Sequence, residues 1–279
     1  MIRVAVTHDV DRVRKTFHYL TKSIKAIKRV SFNDLAYQIK SLFFKEDPFW
    51  NFEDILAIEE KFKIKSTFYF LNETIPFNLL SIKNWYLSLG RYNTDEPKIQ
   101  NMIKFLHQEQ YEIGVHGSYN SYNDLNLLVS EKKKLEKIID ENIIGIRQHH
   151  LNFDKNTWKI QQEAGFKYDS TWGLNSEFGF KDNKYEPFKP LENDFTVFPM
   201  VIMDSPFCNS TNKWEALDQL IKTAETRNSI IVLNWHPDNF NDREFPYYRT
   251  DFINIIEKLC DRGAEFDTLK NYFQEYYSS

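Results

Sequence analysis

Two carboxylates close the first apolar run of the chain. The run from Ile2 to Val10 predicts a β-strand, and Asp9 and Asp11 stand two residues apart at its end. Residues two apart on an extended strand point to the same side, so both carboxylates would project from the carboxyl edge, where α/β folds carry their chemistry. Two like charges at one place need a cation or a proton between them. The alternative interpretation is a turn or helix-capping role for these aspartates.

Further titratable side chains follow other predicted strands. His116, Arg147, Asp169 and His236 each stand at or just past the end of a short apolar run. A neutral imidazole is the commonest nitrogen ligand of metals in proteins. Together with the paired aspartates, this set of a histidine ligand, an arginine and a separate carboxylate and histidine is typical of metal-assisted hydrolysis.

Predicted strands and helices alternate along the chain. The strands lie near residues 2–8, 65–71, 112–116, 143–147, 166–171, 195–203, 229–235 and 264–267. The helices lie near residues 51–62, 96–108, 130–140, 154–164, 213–227 and 250–262, with a last one after residue 268. This alternation indicates a parallel sheet with right-handed crossovers. So many strands without a dinucleotide-binding glycine motif favour a closed or distorted (β/α) barrel of the α/β class.

Length and composition narrow the class of protein. The 279 residues suit one α/β barrel, so a single domain over residues 1–279 is expected. A net charge of −4 argues against a nucleic-acid partner, and the two cysteines, Cys208 and Cys260, are too few for a disulfide framework. No run near Met1 resembles a signal peptide and no apolar stretch is long enough to span a bilayer, so a cytoplasmic location is expected.

A basic insert at about residues 12–50 interrupts the alternation. Apolar residues recur in it at helical spacing, namely Val13, Phe17, Leu20, Ile24 and Ile27. Basic residues occupy much of the remaining surface, namely Arg14, Lys15, Lys22, Lys25, Lys28 and Arg29. The pattern favours an amphipathic helix that packs on the barrel with a solvated face and walls the active-site mouth. Contact with an anionic substrate or with a membrane surface is the less favoured alternative.

Six motifs in order give the chain a specific resemblance. They are THDVD, STFYF, IGVHGSYNS, GIRQHH, GFKYDSTWG and LNWHP, and they extend from Thr7 to Pro237. In these motifs the chain resembles the NodB-like polysaccharide deacetylases, which form carbohydrate esterase family four in its broad sense. The resemblance implies a distorted (β/α) barrel of about seven strands that hydrolyses N-acetyl or O-acetyl groups on sugars with one divalent metal ion. Zinc is the expected ion, with cobalt, nickel and manganese as alternatives.

The resemblance also implies how protons move in the reaction. Asp9 would be the general base, and Arg147 would orient it. His236 would be the general acid that protonates the departing amine or alcohol, and Asp169 would hold His236. These four residues are the predicted catalytic set.

The predicted metal ligands depart from the family pattern at one position. The resemblance implies that Asp11 and His116 bind the metal. The family has a second histidine four residues after the first, whereas this chain has Asn120 there. Asn120 could ligate in a site that is weaker or prefers a harder metal, another group could complete the shell, or the metal could be lost. The other candidate groups are Ser118, His149 and His150.

The predicted function is removal of an acetyl group from a sugar in cell-surface polysaccharide metabolism. Without an export signal, the expected partner is a cytoplasmic acetylated precursor, such as a nucleotide-linked or lipid-linked sugar. One alternative is hydrolysis of another amide, such as a cyclic imide. The other is a metal-free binding or scaffold protein that kept the barrel and lost activity.

Overall fold

Parallel strands form the centre of the protein. A computed structural model describes residues 2–192, 194–227 and 229–278. The strands are β1 (Arg3–Val10), β2 (Thr67–Leu71), β3 (Glu112–Gly117), β4 (Gly145–Gln148), β5 (Tyr168–Asp169), β6 (Thr196–Val197), β7 (Met200–Met203), β8 (Ile230–Asn234) and β9 (Glu265–Phe266). Each of these lies where the sequence predicts a strand.

The sheet curls because its two ends belong to one stretch of chain. The strand order is β6-β5-β4-β3-β2-β1-β8-β7, with β9 paired beside the start of β1. In the stretch 196–203, Thr196 pairs with β5, whereas Met200 pairs with β8. When this stretch is counted once, seven strands form a distorted barrel, which confirms the predicted fold.

Helices cover the outside of the barrel. They are α1 (His18–Lys28), α2 (Phe32–Ser41), α3 (Phe52–Phe62), α4 (Ile82–Ser88), α5 (Pro97–Gln108), α6 (Leu125–Ile139), α7 (Thr157–Glu163), α8 (Asp204–Asn209), α9 (Lys213–Arg227), α10 (Tyr248–Asp261) and α11 (Leu269–Ser278). Because the strands are covered by helices on one face and by the barrel interior on the other, β2, β3 and β8 are buried along their whole length. Within the described residues, no helix is both long and apolar enough to cross a membrane.

The insert differs from its prediction in two ways. It forms two helices, α1 and α2, where the pattern predicts one. The apolar residues of α1 that were expected to pack on the barrel are exposed instead, namely Leu20, Ile24 and Ile27. Ala26 is buried on the opposite side, and the ammonium group of Lys22 donates a hydrogen bond to the main-chain oxygen of Glu244 at 2.8 Å. The small and polar side of α1 therefore faces the protein, and its apolar side faces solvent.

Candidate active site

A cavity of about 880 Å³ opens at the carboxyl ends of the strands. Four of the predicted site residues line it, namely Asp9, Asp11, His116 and His236. Arg147 lies completely buried beneath them and reaches Asp9. The fold therefore brings five of the seven predicted site residues together, and the other two lie elsewhere.

Both carboxylate oxygens of Asp9 are held by donors. Arg147 Nη1 donates to Oδ1 at 2.9 Å, and Asn234 Nδ2 donates to Oδ2 at 2.8 Å. Burial raises the pKa of this carboxyl group, but nearby positive charge, chiefly that of Arg147, outweighs burial and leaves the pKa below its usual value. Asp9 is therefore an ionised hydrogen-bond acceptor at neutral pH.

The guanidinium of Arg147 is fixed by three further hydrogen bonds. It donates to Thr7 Oγ1 at 2.8 Å and to the main-chain and side-chain oxygens of Ser170, both at 2.9 Å. Its guanidinium carbon lies 4.7 Å from the ring centroid of Tyr69. Because β1, β4 and the segment after β5 all hold this one side chain, Arg147 places Asp9 rigidly.

Three potential metal ligands converge beside Asp9. Ligand atoms of Asp11, His116 and His149 all lie within 4.8 Å of one another. Asp11 Oδ1 is 3.1 Å from His116 Nε2, and Asp11 Oδ2 is 3.2 Å from His149 Nε2. One carboxylate and two imidazoles form a donor set that zinc and similar divalent ions accept.

The tautomer of His116 supports a cation at this place. His116 Nδ1 lies 2.9 Å from the main-chain oxygen of Arg147, which can only accept, so Nδ1 carries the hydrogen. In the neutral ring, Nε2 then presents a lone pair toward Asp11 Oδ1, and that buried oxygen has no hydrogen-bond donor. Two acceptors that face each other at 3.1 Å need a shared cation or a proton. The residues present therefore fit a divalent metal.

His149 is suited to ligation by its protonation state. Burial lowers the pKa of His149 to about 3, against the opposing effect of the Asp11 carboxylate. Its imidazole is therefore neutral at physiological pH, as a metal ligand must be. Arg91 lies close by, with Nη2 at 3.2 Å from His149 Nε2 and Nη1 at 3.8 Å from Asp11 Oδ2. Bound metal would take over the lone pair that His149 now offers to Arg91.

Asn120 does not lie with the other predicted ligands. It is exposed and is not part of the cavity wall. The chain leaves β3 at Gly117 and enters a turn, so the helical spacing that would place residues four apart on one face is absent between His116 and Asn120. His149, which directly follows neighbouring β4, lies with Asp11 and His116 where Asn120 was expected.

Asp204 contacts His236 where Asp169 was expected. Asp204 Oδ2 lies 2.9 Å from His236 Nδ1, accepts the main-chain N–H of His236 at 2.7 Å and accepts from Asn239 Nδ2 at 2.7 Å. Burial lowers the pKa of His236, but the Asp204 carboxylate more than offsets burial and raises this pKa well above its usual value. His236 is therefore held in one orientation and carries a proton at neutral pH.

Asp169 has a different set of partners. It accepts hydrogen bonds from Gln161 Nε2 at 3.1 Å, from Trp158 Nε1 at 3.2 Å and from the hydroxyl of Thr171. Burial raises the pKa of its carboxyl group to about 6. These contacts join α7 to β5, outside the cavity wall. The prediction that Asp169 holds His236 is wrong, because β5 is not a neighbour of β8 whereas β7, which ends beside Asp204, is.

A family model for WbmS-like polysaccharide deacetylases matches residues 94–249, more than half of the chain. The chain belongs to this family. The matched part contains His116, His149, Asp204 and His236, and it begins after β1, which carries Asp9. None of the curated proteins compared with the chain matches it.

Solved structures that resemble the chain share its fold at low identity. One is a Mycobacterium smegmatis protein described as a polysaccharide deacetylase, with a TM-score of 0.61, 15% identity, and coverage of 99% of this chain and 90% of that one. Another is the Puue allantoinase, with a TM-score of 0.59, 13% identity, and coverage of 100% and 91%. A third is the 4-alpha-glucanotransferase of Thermococcus litoralis, with a TM-score of 0.56 and 15% identity, where the match covers 98% of this chain and 40% of that enzyme. At these identities the likeness establishes the barrel alone.

Sequence reasoning missed three contributors to the site of this family member. Asn234 ends the apolar strand β8 and is the only polar residue in it, a signal that would have indicated an inward role. Glu73 follows β2 and lies 3.9 Å from His149 Nδ1, so its place after a strand was also a signal. Arg91 comes from the loop between α4 and α5, and nothing in the local pattern of residues indicates that it reaches Asp11.

Proposed function

We propose that this WbmS-like deacetylase is a metal-dependent hydrolase that removes an N-linked or O-linked acetyl group from a sugar or polysaccharide precursor in cell-surface polysaccharide metabolism. The observation that carries the proposal is the pair of facing acceptors, Asp11 Oδ1 and His116 Nε2, in one cavity with Asp9 and His236. The family of the chain supplies the class of reaction.

Asp11, His116 and His149 would hold one divalent ion. When bound, such an ion polarises the acyl oxygen and lowers the pKa of a coordinated water to about 7. Zinc is the proposed ion because two of the three ligands are imidazoles. Three protein ligands leave coordination positions open, as catalytic sites require.

Asp9 would receive the proton of the attacking water. Each of its oxygens accepts one hydrogen bond within the protein and keeps a second lone pair for the water. Arg147 and Asn234 hold the carboxylate in one orientation, so the water proton meets a fixed acceptor. General-base help of this kind contributes about 10²- to 10⁴-fold to the rate.

His236 would give a proton to the departing nitrogen or oxygen. Because Asp204 accepts from Nδ1, Nε2 is the nitrogen whose proton can reach the leaving group. The raised pKa of His236 keeps this proton in place at neutral pH. Asp9 ionised and His236 protonated form the acid and base pair that hydrolysis needs.

Replacement of Asp204 by asparagine should move the pH dependence of the reaction. Without the carboxylate, the pKa of His236 falls, so the alkaline limb of the kcat profile shifts toward lower pH and kcat at neutral pH falls by about 10²-fold or more. The pH–rate profile with saturating substrate measures this. Asp169→Asn is the matched control, because Asp169 is buried and does not contact His236. An unshifted profile in Asp204→Asn, or an equal shift in Asp169→Asn, would contradict the role of Asp204.

Acetate release tests the proposed function itself. Protein purified without a metal-affinity tag and loaded with zinc should release acetate from acetylated amino sugars, both nucleotide-linked and lipid-linked. Parallel assays follow the ring opening of cyclic imides. Ring opening without acetate release would show hydrolysis of another amide. Failure to bind metal even after reconstitution, as measured by elemental analysis, would favour the scaffold protein.

A further inference from the structure

The α1 and α2 helices expose an apolar surface, here called the hairpin patch. Its members are Leu20, Ile24, Ile27, Val30, Phe32, Ile39, Leu42, Phe43 and Phe44. The first three recur at spacings of four and three residues, which places them on one face of α1. Phe32 and Phe43 are 79% and 83% exposed. Helices α1 and α2 pack against each other, and apolar side chains grouped and exposed in this way on a folded protein mark an interaction site.

A second apolar segment lies near the start of α1. Around α4 the exposed apolar side chains are Phe77, Leu79, Leu80, Trp85 and Tyr86. The ring of Tyr86 lies 5.6 Å from the ring of Phe17, which immediately precedes α1. Most of the exposed large apolar side chains within the described ranges belong to these two segments of the chain.

The charge of the hairpin distinguishes the possible occupants. Residues 18–45 contain six lysines and arginines and one acidic residue, Asp34, in a chain whose net charge is −4. Five of the basic residues are exposed, namely Lys25, Lys28, Arg29, Lys40 and Lys45. A second copy of the chain would bring the same positive surface against this one, and like charges across an interface are unfavourable. An anionic lipid surface matches both the basic residues and the apolar face.

The hairpin contacts the wall of the active-site cavity from outside. The ammonium group of Lys22 lies 4.1 Å from the ring centroid of Phe245, and Phe245 lines the cavity. Tyr86 and Arg12 line the same cavity, and Arg12 Nη2 donates to the main-chain oxygen of Tyr86 at 2.7 Å. A surface that binds the hairpin patch would therefore lie next to the cavity mouth.

We infer that the hairpin patch, with the apolar side chains around α4, docks the protein on the surface of an anionic bilayer. Leucine, isoleucine and phenylalanine side chains enter the interface between headgroups and acyl chains, and the lysines and arginines contact anionic headgroups. The cavity mouth then faces sugars that project from the membrane. This last step, that the substrate is a sugar carried by a lipid, rests on the proposed function, whereas the docking does not.

Co-sedimentation with vesicles tests the docking. The full chain should pellet with vesicles of phosphatidylcholine and phosphatidylglycerol at a ratio of 7:3 in low salt, pellet much less with phosphatidylcholine alone, and be released from the anionic vesicles as salt is raised. Absence of pelleting with anionic vesicles at low salt would overturn the inference. A stable dimer in analytical ultracentrifugation that Phe32→Ser/Phe43→Ser dissociates, without vesicle binding, would assign the patch to a second copy instead.

Matched variants separate the patch from general charge effects. Lys25→Glu/Lys28→Glu should weaken partitioning to the anionic vesicles by about tenfold or more. Lys133→Glu/Lys137→Glu makes the same charge change on exposed positions of α6 and should stay within about twofold of the parent protein. Equal losses in both variants would contradict the inference.

Activity on a soluble acetylated sugar distinguishes docking from catalysis. Lys25→Glu/Lys28→Glu should keep its acetate release from the soluble substrate, because neither lysine lines the cavity. Vesicle binding by a protein that releases no acetate would overturn the proposed function and leave the docking intact. Acetate release by a protein that does not bind vesicles would overturn the docking and leave the proposed function intact.

Discussion

Replacement of Asp9 by asparagine should lower kcat for acetate release by about 10²- to 10⁴-fold while the protein stays folded. The amide keeps the size of the carboxylate and can still accept from Arg147 Nη1, but its basicity is too low to take a proton from water. The guanidinium of Arg147 keeps its hydrogen bonds to Thr7 and Ser170, so we expect the barrel to stay folded. Stopped assays of acetate release and far-ultraviolet circular dichroism measure the two effects.

The control for Asp9→Asn is a change that disturbs the same arginine without touching the base. Thr7→Val removes one acceptor of Arg147, and leaving a buried donor with fewer partners costs about 1 to 3 kcal/mol in the free energy of unfolding. This variant should lose stability and keep most of its turnover. If Asp9→Asn retained turnover, Asp9 would not be the base. If Thr7→Val lost as much activity as Asp9→Asn, Asp9 would act only by positioning Arg147.

The barrel could be predicted from sequence because its strands are short, apolar and separated by helices. Runs such as Ile230 to Leu233 are buried on both faces, so their hydrophobicity alone indicates a strand. The stretch 196–203 forms two strands, β6 paired with β5 and β7 paired with β8. This division could not be predicted, since it depends on which strands lie beside each half in the folded sheet. The insert was predicted with the wrong face inward, because a periodic pattern shows that a helix has an apolar side and not what covers that side.

The paired aspartates of the site followed from local rules, whereas their partners depended on the order of the strands. Alternation along β1 places Asp9 and Asp11 on one rim, and both line the cavity. Met203 and Asn234 pair in the neighbouring strands β7 and β8. Because Asp204 and His236 follow these two residues closely in the sequence, the pairing brings them into contact. Local sequence favours a turn role for Asp204, since it precedes Ser205 and Pro206. Asp204 is instead the first residue of α8, and only the pairing of β7 with β8 shows that it lies against His236.

The third metal ligand provides the sharpest test of the proposed site. His149→Ala should weaken zinc binding by more than about 100-fold, because loss of even an outer partner of a ligand costs 10- to 100-fold. The remaining ligands, Asp11 and His116, leave the ion with two protein donors, too few for a catalytic zinc site. Competition with a chromophoric chelator measures the affinity.

Asn120→Ala is the matched control for His149→Ala, since the family pattern points to Asn120 and the barrel points to His149. We expect Asn120→Ala to bind zinc as the parent protein does, because its side chain is exposed and outside the cavity wall. Loss of affinity in Asn120→Ala with His149→Ala unchanged would place the metal toward the turn after β3. Loss of affinity in His149→Ala alone would mean that the histidine after β4 is the third metal ligand. In the wider family a second histidine after β3 has that role, so the ligand would come from the same rim of the barrel but from a different strand.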